Sequence, residues 1–264
     1  MRRASTLLVV VLVAYVLLPL LWLLRLSLTP EIDIHQWPPR LLPATLTGGH
    51  YADVLADGRF WRQIGNSLLV CTLATLVSLA CGAWGAYGLA RHRFRARDAL
   101  LAGLLLLHLV PGVANMAAVY RVADAVGALN SLLFVALLKT TGVTVAAWIL
   151  VAAFRRVPAH LEFAAELDGC SRRQALWRVT LPLVGPALLT AGVLLFVQSW
   201  NTFFLPFLLL DDPRKMTLTV GLYRYFTEHG FEPGHAAAFM LLSILPVVAL
   251  FLVFRRRLWS GFEI

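Results

Sequence analysis

The chain has 264 residues, of which 59% are apolar and only 14% charged, and its mean hydropathy is +0.76. Soluble domains carry about a quarter charged residues and at most half apolar ones, so a water-soluble fold, a disordered chain and a disulfide scaffold are all excluded, and the bilayer is the solvent that fits. The formal charge is +9, from 23 basic and 14 acidic residues, and where those charges fall decides between a nucleic acid and a membrane surface.

A membrane helix needs about 20 mostly apolar residues. Six stretches qualify: 4–24, 66–90, 99–120, 131–154, 183–210 and 236–254. Arg2 and Arg3 precede the first, as in a secretory signal, but its apolar core is too long and no A-x-A site follows, so it reads as a retained span. With the N-terminus inside, the inner segments hold 14 basic and five acidic residues, the outer ones eight basic and nine acidic. Positive charge therefore collects on one side, as cytoplasmic loops require, and no nucleic-acid partner is needed. The predicted fold is an all-α integral membrane protein: a single transmembrane domain over 1–264, with six transmembrane helices and both termini cytoplasmic.

The first outer segment, 25–62, carries Pro30, Pro38, Pro39 and Pro43 and reads as irregular, with an amphipathic piece at 51–61 on the membrane surface. The second span sets Ala74, Ser78, Gly82, Ala86 and Ala90 at four-residue spacing, a smooth face on which another helix can pack closely. Pro19, Pro111, Pro206 and Pro246 fall in or near spans and can bend them. Polar groups inside hydrocarbon are costly and mark functional sites. Gln198, Asn201 and Thr202 share a face of the fifth span, with Trp200, Phe203 and Phe204 beside it. This cluster either holds a polyhydroxylated solute or fixes helix packing by hydrogen bonds. Lys139 is the one formal charge inside a span, and its stem either snorkels outward or lines a pathway.

The inner loop 155–182 has the grammar of two short helices. Pro158 suits a first turn, Leu161, Ala164 and Ala165 recur on one face, and Gly169 suits a left-handed stop. Ser171 and Gln174 then form a capping box, Ala175, Leu176 and Val179 an apolar face, and Pro182 the end. A helix pair on the inner side is a docking shape for another protein; lying on lipid and binding DNA are the alternatives, the second disfavoured by spans abutting both ends. Cys71, Cys81 and Cys170 make no C-x-x-C pair, and neither Lys139 nor Lys215 lies in a phosphate-binding loop, so no metal and no ATP site is expected on this chain.

The stretch Glu162 to Gly169, followed after nine residues by Val179, Leu181 and Pro182, resembles the EAA signature (E-A-A-x-x-x-G, nine residues, I-x-L-P) of permease subunits of binding-protein-dependent ABC importers. Asn66-Ser67, the run Ala86 to Arg91, Val110-Pro111-Gly112 and Trp200 to Phe203 are similar to its carbohydrate-uptake, maltose-type branch. Phe163 stands where the triplet has glutamate, Glu162 keeps the acid that commonly precedes it, and the tail 255–264 lacks the small-residue ending of many relatives.

The resemblance implies a multi-pass protein of the prokaryotic inner membrane with no catalytic residue and no cofactor of its own. It implies a second permease subunit in a heterodimer, two ATP-binding subunits that hold ATP and Mg, and an external solute-binding protein that delivers a sugar or related polyol. The ATPase-coupling residues would be Glu162, Ala164, Ala165, Asp168, Gly169, Leu181 and Pro182. Gln198, Trp200, Asn201 and Thr202 are the candidates for the substrate pathway. The competing class is an ion-coupled carrier working without ATPase subunits, which the scarcity of charge within spans disfavours.

Overall fold

The computed structural model describes residues 2–36, 42–43, 45–92, 94–109, 112–228 and 232–262, and among these every regular element is helical. In chain order the helices are α1 (Arg2–Ser27), α2 (Glu31–Ile34), α3 (Gly49–Ala56), α4 (Gly58–Arg91) and α5 (Arg97–Leu109). Next come α6 (Met116–Ala125), α7 (Leu132–Leu138), α8 (Val143–Arg156), α9 (Ala159–Leu167) and α10 (Arg172–Ala175). The last are α11 (Leu181–Leu183), α12 (Gly185–Trp200), α13 (Phe204–Leu209), α14 (Leu218–Glu228) and α15 (Pro233–Phe262).

Among the described residues, four stretches are long and apolar enough to cross a bilayer: Thr6–Ser27, Gly58–Arg91, Leu132–Arg156 and Pro233–Arg255. A fifth arises if Arg172–Leu183 and Gly185–Trp200, bent by 72°, count as one. The stretch 99–120 is not one long helix among the described residues: α5 and α6 flank a 3-10 turn at Gly112–Asn115, and Val110 and Pro111 lie outside them. The stretch 183–210 is likewise split, α12 ending at Trp200 and α13 starting at Phe204.

The chain divides into two compact units. In the first, residues 1–65 and 217–246, the amphipathic piece at 51–61 packs one face on protein and leaves Leu55 and Trp61 exposed on the other. His50, Val54 and Phe60 are buried, and Phe60 meets Phe239 edge-on with ring centroids 5.1 Å apart. Ser27 and Tyr51 share a 2.7 Å hydroxyl hydrogen bond, and Thr47 N–H donates to Leu28 O. An irregular segment becomes ordered when its backbone groups find such partners.

The second unit, residues 66–216 and 247–264, is built on the small-residue face of α4. Ala74, Ser78, Gly82 and Ala86 are all buried, and a Cβ added at Gly82 would stand 2.6 Å from the Ala146 Cβ of α8. Lipid provides no hydrophobic drive between helices, so this backbone approach, with its dense dispersion contacts, is what joins α4 to α8. Leu150, Phe154, Leu176, Val184 and Leu195 complete that core. A second cluster joins Val70, Ala123, Val135, Ala136, Leu209 and Leu210.

Two asparagines tie its loops. Asn66 Nδ2 donates to Arg214 O and Met216 O. Asn130, in the left-handed region at φ 57°, receives Asp211 N–H and Asp212 N–H on Oδ1 at 2.7 and 2.8 Å.

Candidate functional site

The helix pair of the loop 155–182 forms as its local sequence directs. Pro158 is the residue before α9, with extended ψ of 132°, rather than a residue of its first turn. The helix ends in a Schellman motif: Cys170 N–H reaches Ala165 O, Gly169 N–H reaches Glu166 O, and Gly169 takes φ +89°. No heavy atom lies within 4 Å of a Cβ built there, so conformation and not space selects glycine. Ser171 N–H donates to Gln174 Oε1 at 2.8 Å and Gln174 N–H to Ser171 Oγ at 3.4 Å, closing the capping box. Pro182 does not end the second helix. A π turn over Leu176–Thr180, where Leu181 N–H reaches back to Leu176 O, widens the helix just before the proline that lacks an N–H. The chain bends only at Val184.

Glu162 is the hub of this pair and faces inward. Its Oε1 accepts from Arg91 Nε at 2.9 Å and from Thr180 Oγ1 at 2.7 Å, and its Oε2 accepts from Tyr87 Oη at 3.1 Å. Arg91 Nη1 also donates to Val157 O. The carboxylate thus joins the last turn of α4, the first turn of α9 and the π turn. Such a shielded, multiply bonded charge pair specifies geometry; removing one member costs about 3–5 kcal/mol because the other is left uncompensated.

The outer surface of the pair is apolar at its tip: Leu167 is 89% and Phe163 60% exposed, with Ala164, Asp168 and Gly169 also exposed. Ala165 is buried and Leu181 half-buried. Ala164 therefore does not share the buried face of Leu161 and Ala165, and Phe163 and Leu167, not Glu162, are the side chains that the first helix of the pair exposes. Their exposure follows from the i, i+4 spacing opposite Ala165, a signal present in the sequence.

A cavity of about 330 Å³ lies within the second unit, at the small end of ligand clefts. Three helix breaks line it: Gly112–Asn115, Lys139–Gly142 and the end of α12. Non-helical backbone survives at membrane depth only where protein buries it or a cavity solvates it. Thr75, Ser78, Asn115, Lys139, Thr141, Gln198, Ser199 and Thr202 supply its polar lining. Lys139 does not snorkel outward: Nζ donates to Ser199 O at 2.8 Å.

Of the pathway candidates, Gln198 and Thr202 line the cavity and Trp200 and Asn201 do not. Trp200 is two residues from Gln198 and so points off the shared face; it is buried and stacks on Phe196 with centroids 5.7 Å apart. Asn201 is exposed at the C-cap of α12. No aromatic residue lines the cavity among the described residues.

Broken apolar helices around a cavity whose mostly apolar walls carry a set of polar groups, with a structured helix pair presenting an apolar tip, are the architecture expected of a membrane-embedded permease. The model of the family described as "binding-protein-dependent transport system inner membrane component" matches residues 78–260. The trehalose transport system permease protein SugB of Mycobacterium tuberculosis is 30% identical over 252 residues, covering 94% of this chain and 91% of SugB. The sulfoquinovosyl glycerol transport system permease protein SmoH of Agrobacterium fabrum is 31% identical over 246 residues, 93% of this chain and 86% of SmoH. A crystal structure of a bacterial ABC transporter involved in import of the acidic polysaccharide alginate shares the fold, with TM-score 0.81 and 22% identity over 96% of this chain and 94% of that one.

The chain belongs to the family of binding-protein-dependent transport system inner membrane components. It is the permease of an ATP-driven importer and works with a solute-binding protein; hydrolysis of ATP resides on separate subunits. Nothing in this membership supports the ion-coupled carrier.

Proposed function

We propose that this permease passes a sugar or related polyol across a prokaryotic inner membrane, crossing it six times as one transmembrane domain with both termini in the cytoplasm. The cavity lined by Gln198, Thr202, Asn115 and Lys139 is the passage, its hydroxyl, amide and ammonium groups suiting a polyhydroxylated solute. The helix pair 155–182 docks one of two ATP-binding subunits, which carry ATP and Mg, and a second, different permease subunit completes the pathway. Relatives whose names specify trehalose and sulfoquinovosyl glycerol support the solute class.

One observation carries the coupling role: the pair exposes Leu167 and Phe163 while Arg91 and Glu162 fix it to α4. A nucleotide-driven shift of the partner moves such an element as a unit, and the transporter responds only as far as the partner binds one conformation better than the other. The test is reconstitution with the ATP-binding and receptor proteins, measuring ATPase stimulation across sugar classes, together with cross-linking from Cys170. Stimulation by one sugar class and a cross-link to the ATP-binding subunit are the expected results. A Cys170 accessible only from outside would reject the topology.

A further inference from the structure

Glu31 at the start of α2, His50 in the first turn of α3 and His235 in the first turn of α15 each bring one potential ligand atom within 4.8 Å of the others. Their hydrogen bonds fix the tautomers of both rings. His50 Nε2 lies 2.9 Å from Thr29 O, and His235 Nε2 lies 3.0 Å from Asp53 Oδ2. Both oxygens only accept, so each Nε2 carries the hydrogen. In neutral imidazoles this leaves both Nδ1 atoms with lone pairs, and those two atoms are 3.1 Å apart. Lone pairs do not face each other at that distance without something positive between them.

A shared proton would relieve the ring pair and set an imidazolium among Asp53, Glu232 and Glu31, but would leave the buried Glu31 Oε1 without a hydrogen bond. A metal ion accounts for more. Two nitrogens bound at about 2.05 Å to one tetrahedral ion are about 3.3 Å apart. Metal-bound histidines almost always donate their other N–H to a carboxylate or backbone carbonyl, the roles Asp53 and Thr29 take here. Carboxylates stand at the cluster as well. Glu232 Oε2 is 3.3 Å from His235 Nδ1, and Glu31 Oε2 accepts from Gly234 N–H at 3.2 Å. Glu31 Oε1 is buried and receives no hydrogen bond. Any Cβ at position 234 would fall on His50 Nε2 and Glu31 Oε2, so glycine there lets α15 close over the cluster.

The geometry points to a structural transition-metal site, of the kind that takes zinc, formed by His50, His235 and Glu31 with Glu232 as a fourth donor. The ion pins α3 to the start of α15, residues 185 positions apart, within the first unit.

The test uses the full chain without a histidine tag, purified in detergent, stripped with EDTA and titrated with Zn²⁺, and with Co²⁺ for its visible spectrum. One equivalent per chain, the strong visible absorption of tetrahedral Co²⁺ and a Zn²⁺-dependent rise in unfolding temperature are expected. His50→Ala and His235→Ala abolish all three, Asp53→Asn weakens binding about 10- to 100-fold, and His160→Ala changes none of them. Should a histidine variant fail to insert, Glu31→Gln with Glu232→Gln leaves both rings in place and must still lose at least about tenfold in affinity. Substoichiometric uptake by the wild type, or binding that the double carboxylate variant leaves unchanged, overturns the site and leaves a proton between the rings.

Discussion

Arg91 Nη2 lies 2.7 Å from Glu162 Oε1, both side chains largely shielded from solvent, so the end of α4 holds the helix pair 155–182 through this carboxylate as well as through Val157 O. Glu162→Ala should leave Arg91 uncompensated and lower stability by about 3–5 kcal/mol, with loss of uptake. Arg91→Ala should behave alike. The double variant should lose much less than the sum of the two, because each single change already removes the shared pair. Thermal unfolding in detergent supplies the cycle, and additive losses would contradict the pairing.

The contact of Gly82 with Ala146 makes a second test. A Cβ at Gly82 would be 2.6 Å from the Ala146 Cβ, far inside van der Waals contact, and both residues lie on helix faces with no room to retreat. Gly82→Ala should destabilise by about 1–3 kcal/mol as overpacking does, and Gly82→Val by more. Adding Ala146→Gly to Gly82→Ala should restore most of the loss, since the same methyl volume is only moved from one helix to the other. The unfolding temperatures of the three variants decide it.

What was legible in the chain was local. Ser171 and Gln174 cap each other across three residues, Gly169 stops α9 by its own backbone, and the stripe Ala74 to Ala86 repeats at a helical period; each needs only its neighbours to be recognised. The inward bonds of Glu162 are not legible, because its partners Arg91 and Tyr87 lie 71 and 75 residues upstream and no periodicity connects them. Trp200 does not line the cavity with Gln198 for a simpler reason: two residues along a helix is the opposite side. The cavity was half legible. Gln198 and Thr202 could be placed on one face, but Asn115 and Thr141 enter only because three helix breaks meet; the polar run Lys139-Thr140-Thr141-Gly142 inside the span 131–154 is the sequence signal that marks the second break.

Gly169 should tolerate few replacements. At φ +89° a β-branched residue is disfavoured by about 1–2 kcal/mol and would tilt α9 against α10. Gly169→Val is expected to insert normally and abolish uptake, whereas Gly169→Asn, at home in left-handed turns, should retain it. Since no neighbour crowds the position, equal loss in both variants would mean that contact with a partner, rather than the turn, selects glycine.

Leu167 and Phe163 offer a cleaner separation of folding from coupling. Both side chains are mostly in solvent, so Leu167→Ser and Phe163→Ser should change stability by less than about 0.5 kcal/mol, as surface substitutions do. If the pair docks a motor subunit, each should nevertheless weaken association with it, because an apolar anchor at the centre of an interface is worth about 2 kcal/mol or more, roughly thirtyfold in affinity. Co-purification and solute-stimulated ATP hydrolysis read the loss directly. Wild-type coupling in the doubly substituted chain would move the docking surface elsewhere, to the other exposed side that Trp177 presents.

Lys139 tests the passage itself. Its ammonium donates to Ser199 O on the wall of the cavity, at a position where α12 is about to end and carbonyls lack helical partners. Lys139→Met preserves the length and apolar stem but removes the donor, leaving that carbonyl only the backbone N–H groups of Asn201 and Thr202. The variant should fold, with a loss of about 1–3 kcal/mol, and its uptake should fall through a changed KM if the ammonium also meets solute, or through kcat alone if it only holds α12 in place. Gln198→Leu provides the comparison, since its side chain lines the same space without bridging helices. A KM effect in Gln198→Leu and none in Lys139→Met would assign the lysine to architecture and the glutamine to the solute, while no effect of either on uptake would remove this cavity from the pathway.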